Sequence, residues 1–348
     1  MTKSIRPAIR AMAGYVPGEQ PCDAGYIKLN TNENPYPPSP RVREAIQQAV
    51  ADGECLRKYP DPSGSEFCRV VAATLGVAAD GILLGNGSDD VLTIITRAFV
   101  HEGGLVVSPS PSYLLYRTLA EIQGAKFQAV PFNDDWTLPD PWPIPDAQLT
   151  LVANPNSPSG TVASVAALTR LAGQLAGPLV VDEAYVDFAD GHAMELARLP
   201  NVIVTRSFSK SYGLAGLRLG FAVAQPALIA EFFKVKDSYN CDALSLIGGA
   251  AALQDQAHFQ ATRARVRATR ARLEAALRGL GFEVCPSQAN FVWCRRQAPG
   301  VRGIFEQLKA KKILVRHMVY EGYGEGLRIS VGTDAEIDRL LEELQKLV

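Results

Sequence analysis

Hydrophobic and polar positions along this chain change their period repeatedly. Short, unbroken apolar runs occur at 82–85 (ILLG), 105–108 (LVVS), 149–153 (LTLVA), 179–182 (LVVD), 202–206 (VIVTR) and 217–224 (LRLGFAVA). Each is strand-length and rich in Val, Ile or Leu, the pattern of strands buried on both faces. Between them lie segments with helical spacing: 41–50, a stretch through 92–100 with Ser88 as its N-cap, 113–122 and 164–176. Strands alternating with helices predict βαβ units and a mostly parallel sheet with helices on both sides.

The character changes near 225–245. A long helical region over roughly 243–279 is followed by short strand runs at 282–286, 290–296, 313–317 and 327–332, with helices at 303–310 and 335–347. This part predicts a smaller α+β domain. The first 40 residues, rich in Pro and Gly and ending in NENPYPPSP, read as an extended arm. The expected division is an arm at 1–40, a large domain at 41–240 and a small C-terminal domain at 241–348. Its two folded units match the count that 348 residues lead one to expect.

Charge adds exclusions. Thirty-five Lys+Arg against 36 Asp+Glu give a net −1, which argues against a nucleic-acid partner or a membrane-surface protein. The arginine-rich run at 263–278 reads as a helix with a solvated basic face and Val266, Leu273 and Leu277 turned inward. No apolar run approaches a membrane span, and Arg10 and the early prolines interrupt the apolar core a signal peptide would need. Six cysteines (22, 55, 68, 241, 285 and 294) form no C-x-x-C pair, so reduced thiols and a cytoplasmic location are expected, with no metal site.

Candidate chemistry sits where strands end. SFSKSYGLAGLRLG, residues 207–220, follows the 202–206 strand, where α/β proteins place ligands. Ser207, Ser209 and Arg218 suit a phosphate monoester, and Lys210 among them offers a primary amine able to form an imine with a carbonyl compound. Asp182 at a buried strand tip needs a cationic partner, such as a protonated pyridine nitrogen. Tyr185 could donate to an oxygen on the same ring. GNGSDD at 85–90 opens a helix whose first amides, at Gly87, Ser88 and Asp89, can hold a phosphate. Tyr113 could stack on a planar cofactor. Phosphate, ring nitrogen, ring oxygen and carbonyl carbon together describe pyridoxal 5'-phosphate.

The order NENP, YPD, GNGSDD, PSY, NPNSPSG, DEAY, SFSKSYGLAGLRLG and LRISVG resembles the fold-type-I aminotransferases, specifically their histidinol-phosphate aminotransferase branch. The resemblance runs from about Tyr15 to the last helix. It implies that Lys210 carries the cofactor as an imine and shuttles a proton. Asp182 would pair with the ring nitrogen, and Tyr185 would bond the ring hydroxyl. Gly87, Ser88, Asp89, Ser207, Ser209 and Arg218 would hold the phosphate, with Tyr113 stacked on the ring. Tyr59 would cross from a partner subunit, making a homodimer the active unit. Arg316 and Arg328 would face the substrate, and Tyr15 and Asn34 of the arm would close over it. Two positions depart from the family's pattern. Ser157 stands where an asparagine usually bonds the ring oxygen, which passes that contact to Asn156, and His317 stands where proline often follows the small-domain arginine.

The expected reaction converts histidinol phosphate and 2-oxoglutarate to imidazole-acetol phosphate and glutamate, a small-molecule amino donor and keto acceptor. Aromatic-amino-acid transamination and threonine-phosphate decarboxylation are the same-branch alternatives. A regulator that fuses such a domain to a winged-helix DNA reader would need an extra basic domain, and a binding module without activity would be expected to lack Lys210 or Asp182.

Overall fold

The computed structural model describes residues 4–14, 16–21 and 23–348. Thirteen strands occur among them: β1 (Ile27–Lys28), β2 (Ile82–Gly85), β3 (Leu105–Ser110), β4 (Lys126–Pro131), β5 (Leu149–Ala153), β6 (Leu179–Asp182), β7 (Val202–Ser207), β8 (Gly220–Val223), β9 (Glu283–Val284), β10 (Phe291–Arg295), β11 (Ile313–Leu314), β12 (Arg316–Tyr320) and β13 (Gly324–Ser330). Seven form the main sheet in the order β2-β8-β7-β6-β5-β3-β4. All its pairings are parallel except those of β8, which runs against both β2 and β7.

Both faces of this sheet are covered, which is why its strands read as continuous apolar runs. Side chains alternate along each strand, so Val107, Val152, Val181 and Val204 enter one core while Val106, Leu151, Val180 and Ile203 enter the other. A four-stranded antiparallel sheet, β12-β13-β10-β9, forms the second unit. Its apolar face packs against three helices, Gln256–Gly279, Val301–Ala310 and Asp334–Leu347.

Several elements differ from expectation. β4 is an additional edge strand whose one deeply buried residue is Val130, so it carries no continuous apolar run. The helices Ser65–Leu75 and Pro226–Val235 add to those expected. The predicted 243–279 helix is two helices, Ala243–Gln254 and Gln256–Gly279, each capped by an aspartate side chain, Asp242 and Asp255. Gly87, not Ser88, occupies the cap position of the Ser88–Phe99 helix. The N-terminal stretch is not featureless: Pro7–Ala11 is helical, and β1 pairs in parallel with β11 of the small unit.

The arginine-rich helix buries Val266, Leu273 and Leu277 as expected, but its basic face is not merely solvated. Arg263 donates to the carbonyls of Asp187 and Ala189, and buried Arg270 to those of Phe188 and Ala289. These arginines clamp the helix to the loop after β6. No helix among the described residues is long and apolar enough to cross a membrane.

Candidate active site

The carboxyl ends of β5, β6 and β7 open into a cleft made of two adjoining cavities, about 80 and 220 Å³. They share Asp89, Tyr113, Ser157, Tyr185 and Lys210. Asp182 lies in the inner one. Register pairs Asp182 with Thr205, and the Thr205 hydroxyl donates to Asp182 Oδ1 at 3.1 Å. The Ala184 amide donates to the same oxygen at 3.2 Å, and the Tyr116 hydroxyl donates to Oδ2 at 2.8 Å. Burial outweighs these donors and pushes the carboxyl up to about 6. The three donors that Asp182 meets are all neutral groups.

Lys210 spans both cavities. Its Nζ donates to the Thr31 carbonyl at 3.3 Å and sits 5.7 Å from the centre of the Tyr185 ring. Burial, reinforced by the Arg328 guanidinium, brings its amine down to about 8. A sizeable neutral fraction near physiological pH makes it a competent nucleophile and base. The Tyr185 hydroxyl accepts from Asn32 Nδ2 at 3.1 Å, and burial raises its pKa above the usual tyrosine range.

At the other end of the inner cavity, Arg218 donates to Ser209 Oγ at 3.2 Å and pairs with Asp89 at 3.5 Å, while Ser207 Oγ accepts from the Ser209 amide. Asp89 also accepts from the Tyr113 hydroxyl at 3.2 Å. These groups surround the first turn of the Ser88–Phe99 helix, whose leading amides have no intrahelical acceptor. Glycine keeps this cradle open. A Cβ on Gly87, which has φ +83°, would lie 2.5 Å from Arg218 Nη2, and one on Gly220 would lie 2.5 Å from the Ser88 nitrogen.

The outer cavity is walled by β12 and β13. Arg316 and Arg328 are cross-strand partners. Arg328 donates to Ser157 Oγ and the Asn30 carbonyl, both at 3.1 Å, and its buried Nε has no acceptor among the described residues. Arg316 donates to the carbonyls of Val16 and Pro17. Residues 316, 318 and 320 of β12 face the cavity, as strand alternation requires. His317 therefore faces away, stacked on Phe305 and bonded to Glu325 at 2.8 Å.

Residues 24–344 match the family model of aminotransferase class I and II. The chain belongs to that family. A histidinol-phosphate aminotransferase from Rhodopirellula baltica is 50% identical over 345 residues, covering 98% of this chain and 95% of that protein. Histidinol-phosphate aminotransferase 1 of Nostoc sp. is 47% identical over 355 residues, covering 100% and 99%. Among solved structures, histidinol-phosphate aminotransferase from Sinorhizobium meliloti in complex with pyridoxal-5'-phosphate superposes with a TM-score of 0.86 at 26% identity, covering 99% of this chain and 98% of that one.

Two of the expected site residues in this aminotransferase lie elsewhere. Asn156 is consumed internally: its Oδ1 accepts from Ser112, and its Nδ2 donates to the Pro111 carbonyl and Ser159 Oγ. Ser157 faces the cavities instead. Asn34 donates to the Ser211 carbonyl and accepts from the Tyr36 amide, so it braces backbone rather than facing substrate. Asn32, at φ +57°, supplies the side chain that reaches Tyr185. Tyr59 is 80% exposed and stacks on Tyr239 at 4.3 Å, outside both cavities of its own chain. Tyr15 lies outside the described residues. Asn32 and Tyr116 also belong to the site and were not among the residues expected; Tyr116 falls three residues after Tyr113, just inside the Leu115–Gln123 helix, with the two rings edge to face at 5.6 Å.

Proposed function

We propose that this chain is a pyridoxal-phosphate-dependent transaminase of the cytoplasm that works as a homodimer. It converts histidinol phosphate and 2-oxoglutarate to imidazole-acetol phosphate and glutamate. The observation that carries the reading is one cleft holding an amine lowered to about 8, a buried carboxylate and a pair of cross-strand arginines. In this reading residues 41–240 hold the cofactor, 241–348 form the small domain, and 1–40 pack with it.

The residues present fit the cofactor. The buried Asp182 carboxylate is costly unless a cation joins it, and a protonated ring nitrogen is one. The glycine-lined cradle at Gly87 and Gly220, with Ser207, Ser209 and Arg218, suits its phosphate. When bound, pyridoxal phosphate supplies a carbonyl that condenses with amines and a ring that withdraws electrons. Lys210 Nζ would hold the cofactor and, freed when the substrate amine takes its place, would carry the proton from the substrate α-carbon to the cofactor's former carbonyl carbon. Asp182 would keep the proton on the ring nitrogen, and Tyr185, held by Asn32, would offer its hydroxyl to the ring oxygen. Tyr113 would stack on the ring. Arg316 and Arg328 bind the substrates' anionic groups, and the buried Nε of Arg328 has no acceptor among the described residues. Histidinol phosphate carries a phosphate dianion and 2-oxoglutarate two carboxylates, so one pair of guanidiniums serves both half-reactions. Tyr59, exposed on its own chain, reaches the neighbouring subunit's site.

The test is a panel of donors (histidinol phosphate, phenylalanine, threonine phosphate) with 2-oxoglutarate, quantifying glutamate and carbon dioxide. The reading expects glutamate formation fastest with histidinol phosphate. Faster turnover of phenylalanine, or carbon dioxide released from threonine phosphate, would replace it with one of the same-branch alternatives.

A further inference from the structure

Directly behind the cleft lies a group of buried charges that the chemistry above leaves unused. Because Asp182 and Thr205 sit side by side and face the cleft, strand alternation turns the next pair, Glu183 and Arg206, to the opposite side. There Arg206 Nε donates to Glu183 Oε2 at 2.7 Å and its Nη1 donates to Asp187 Oδ1 at 2.9 Å. The Arg206 and Glu183 side chains are 9% and 0% exposed. The remaining acceptors are also used: Glu183 Oε1 takes the Ala193 amide, and Asp187 Oδ2 takes the Ser211 hydroxyl.

Position gives this cluster its meaning. Glu183 and Asp187 flank Tyr185, and Ser211 follows Lys210. Beyond the cluster, a second cleft of about 210 Å³ is bounded by Asp187, Arg206, Ser207, Phe208 and Tyr212. The segment carrying Lys210 borders this cleft, anchored by Phe208 against Phe67 and Phe221 and by Tyr212 stacked on Phe259. Polar ties fix the residue that follows Lys210, since Asp187 retains the Ser211 side chain and Asn34 retains its carbonyl from the other side.

We propose that Arg206, Glu183 and Asp187 form a positioning cluster for the reaction, fixing Lys210 relative to Tyr185 through the hydroxyl of Ser211. The proposal rests on the reading of Lys210 as the reactive amine. The cluster touches neither substrate nor cofactor, and it acts by setting where the amine stands, a placement in which an error near 1 Å can cost about a hundredfold in rate.

The experiment uses the protein loaded with pyridoxal phosphate and compares the parent with Ser211→Ala, Ser211→Thr and Arg206→Lys. Three quantities are read: the pH midpoint of the lysine–cofactor absorbance, kcat and KM separately, and the thermal midpoint. For Ser211→Ala the expectation is an absorbance midpoint moved by about 0.5 pH unit or more, kcat lower by about tenfold and KM within about twofold. Its thermal midpoint should stay within about 3 °C of the parent. Ser211→Thr keeps the hydroxyl and should restore both the midpoint and kcat. Arg206→Lys keeps the charge but cannot fork to two carboxylates, and should resemble Ser211→Ala. The Ser211 pair decides the matter whether or not Arg206→Lys folds. An unmoved absorbance midpoint and kcat in Ser211→Ala would overturn the proposal, as would a loss that tracks a fallen thermal midpoint and is not restored by Thr. A parent that forms no lysine–cofactor absorbance would instead overturn the transaminase reading beneath it.

Discussion

Replacing Asp182 by Asn separates what this residue costs the fold from what it gives the reaction. Burial moves its carboxyl from 3.8 up to about 6 in the cofactor-free protein. Holding the anion there at pH 7.5 therefore costs about 3 kcal/mol relative to the unfolded chain, at 1.36 kcal/mol per pH unit. The sign follows from proton counting. The folded state binds more protons than the unfolded one between roughly pH 4 and 6, so stability falls as pH rises through that window. Asn carries no such charge, but one of the donors Tyr116 and Thr205 would then face an amide NH₂, which takes back about 1–2 kcal/mol. The cofactor-free Asp182→Asn protein should match or exceed the parent in stability at pH 7.5. Its advantage over the parent should grow by about 1 kcal/mol from pH 5 to pH 7.5. Urea unfolding of the cofactor-free proteins at the two pH values measures this. With cofactor bound the order reverses, because a preorganised charge partner is lost, and turnover should fall by about 10²–10³. A stability difference that is flat with pH would refute the argument that Asp182 is held as a strained anion. Turnover reduced by less than about threefold would refute its pairing with the ring.

Other outcomes follow from the same geometry. In the cofactor-free protein, the rate at which pyridoxal phosphate condenses with Lys210 should rise with pH around a midpoint of about 8. Arg328→Gln, which removes the nearby positive charge, should shift that midpoint upward, and an unmoved midpoint would contradict the assignment. Tyr116→Phe removes a donor to Asp182 and should lower kcat by about tenfold with KM little changed, as steady-state kinetics would show. Mixing inactive Lys210→Ala with inactive Tyr59→Phe subunits should recover activity, up to about a quarter of the sites on random reassortment of a two-fold dimer. No recovery in heterodimers confirmed by mass would place Tyr59 outside a shared site.

How much was legible in the sequence depended on the physics at each position. The buried strands were readable because both faces are covered, so LVVD and VIVTR announce themselves as unbroken apolar runs. β4 hides because an edge strand with one deeply buried residue has no such run. Lys210, Asp182 and Arg218 were readable because they stand at strand ends in a dense motif, and the structure brings all three to one cavity. Choosing between neighbours was harder. Asn32 and Asn34 both belong to NTNEN, and only the backbone conformation decides which side chain reaches Tyr185. Asn156 and Ser157 are consecutive, and the hydrogen bonds that retain Asn156 come from Pro111, Ser112 and Ser159, two of which belong to the loop after β3. The Glu183–Arg206 pair was hidden for a similar reason: it exists only once the register between β6 and β7 is known.

Reductive trapping asks whether Lys210 is the amine to which the cofactor attaches. The protein loaded with pyridoxal phosphate is reduced with borohydride, digested and mapped by mass spectrometry. The expected result is a phosphopyridoxyl group on the peptide containing Lys210, absent from Lys210→Ala, which should still bind the cofactor without turning over. A modification confined to another lysine, or wild-type transamination by Lys210→Ala, would contradict it.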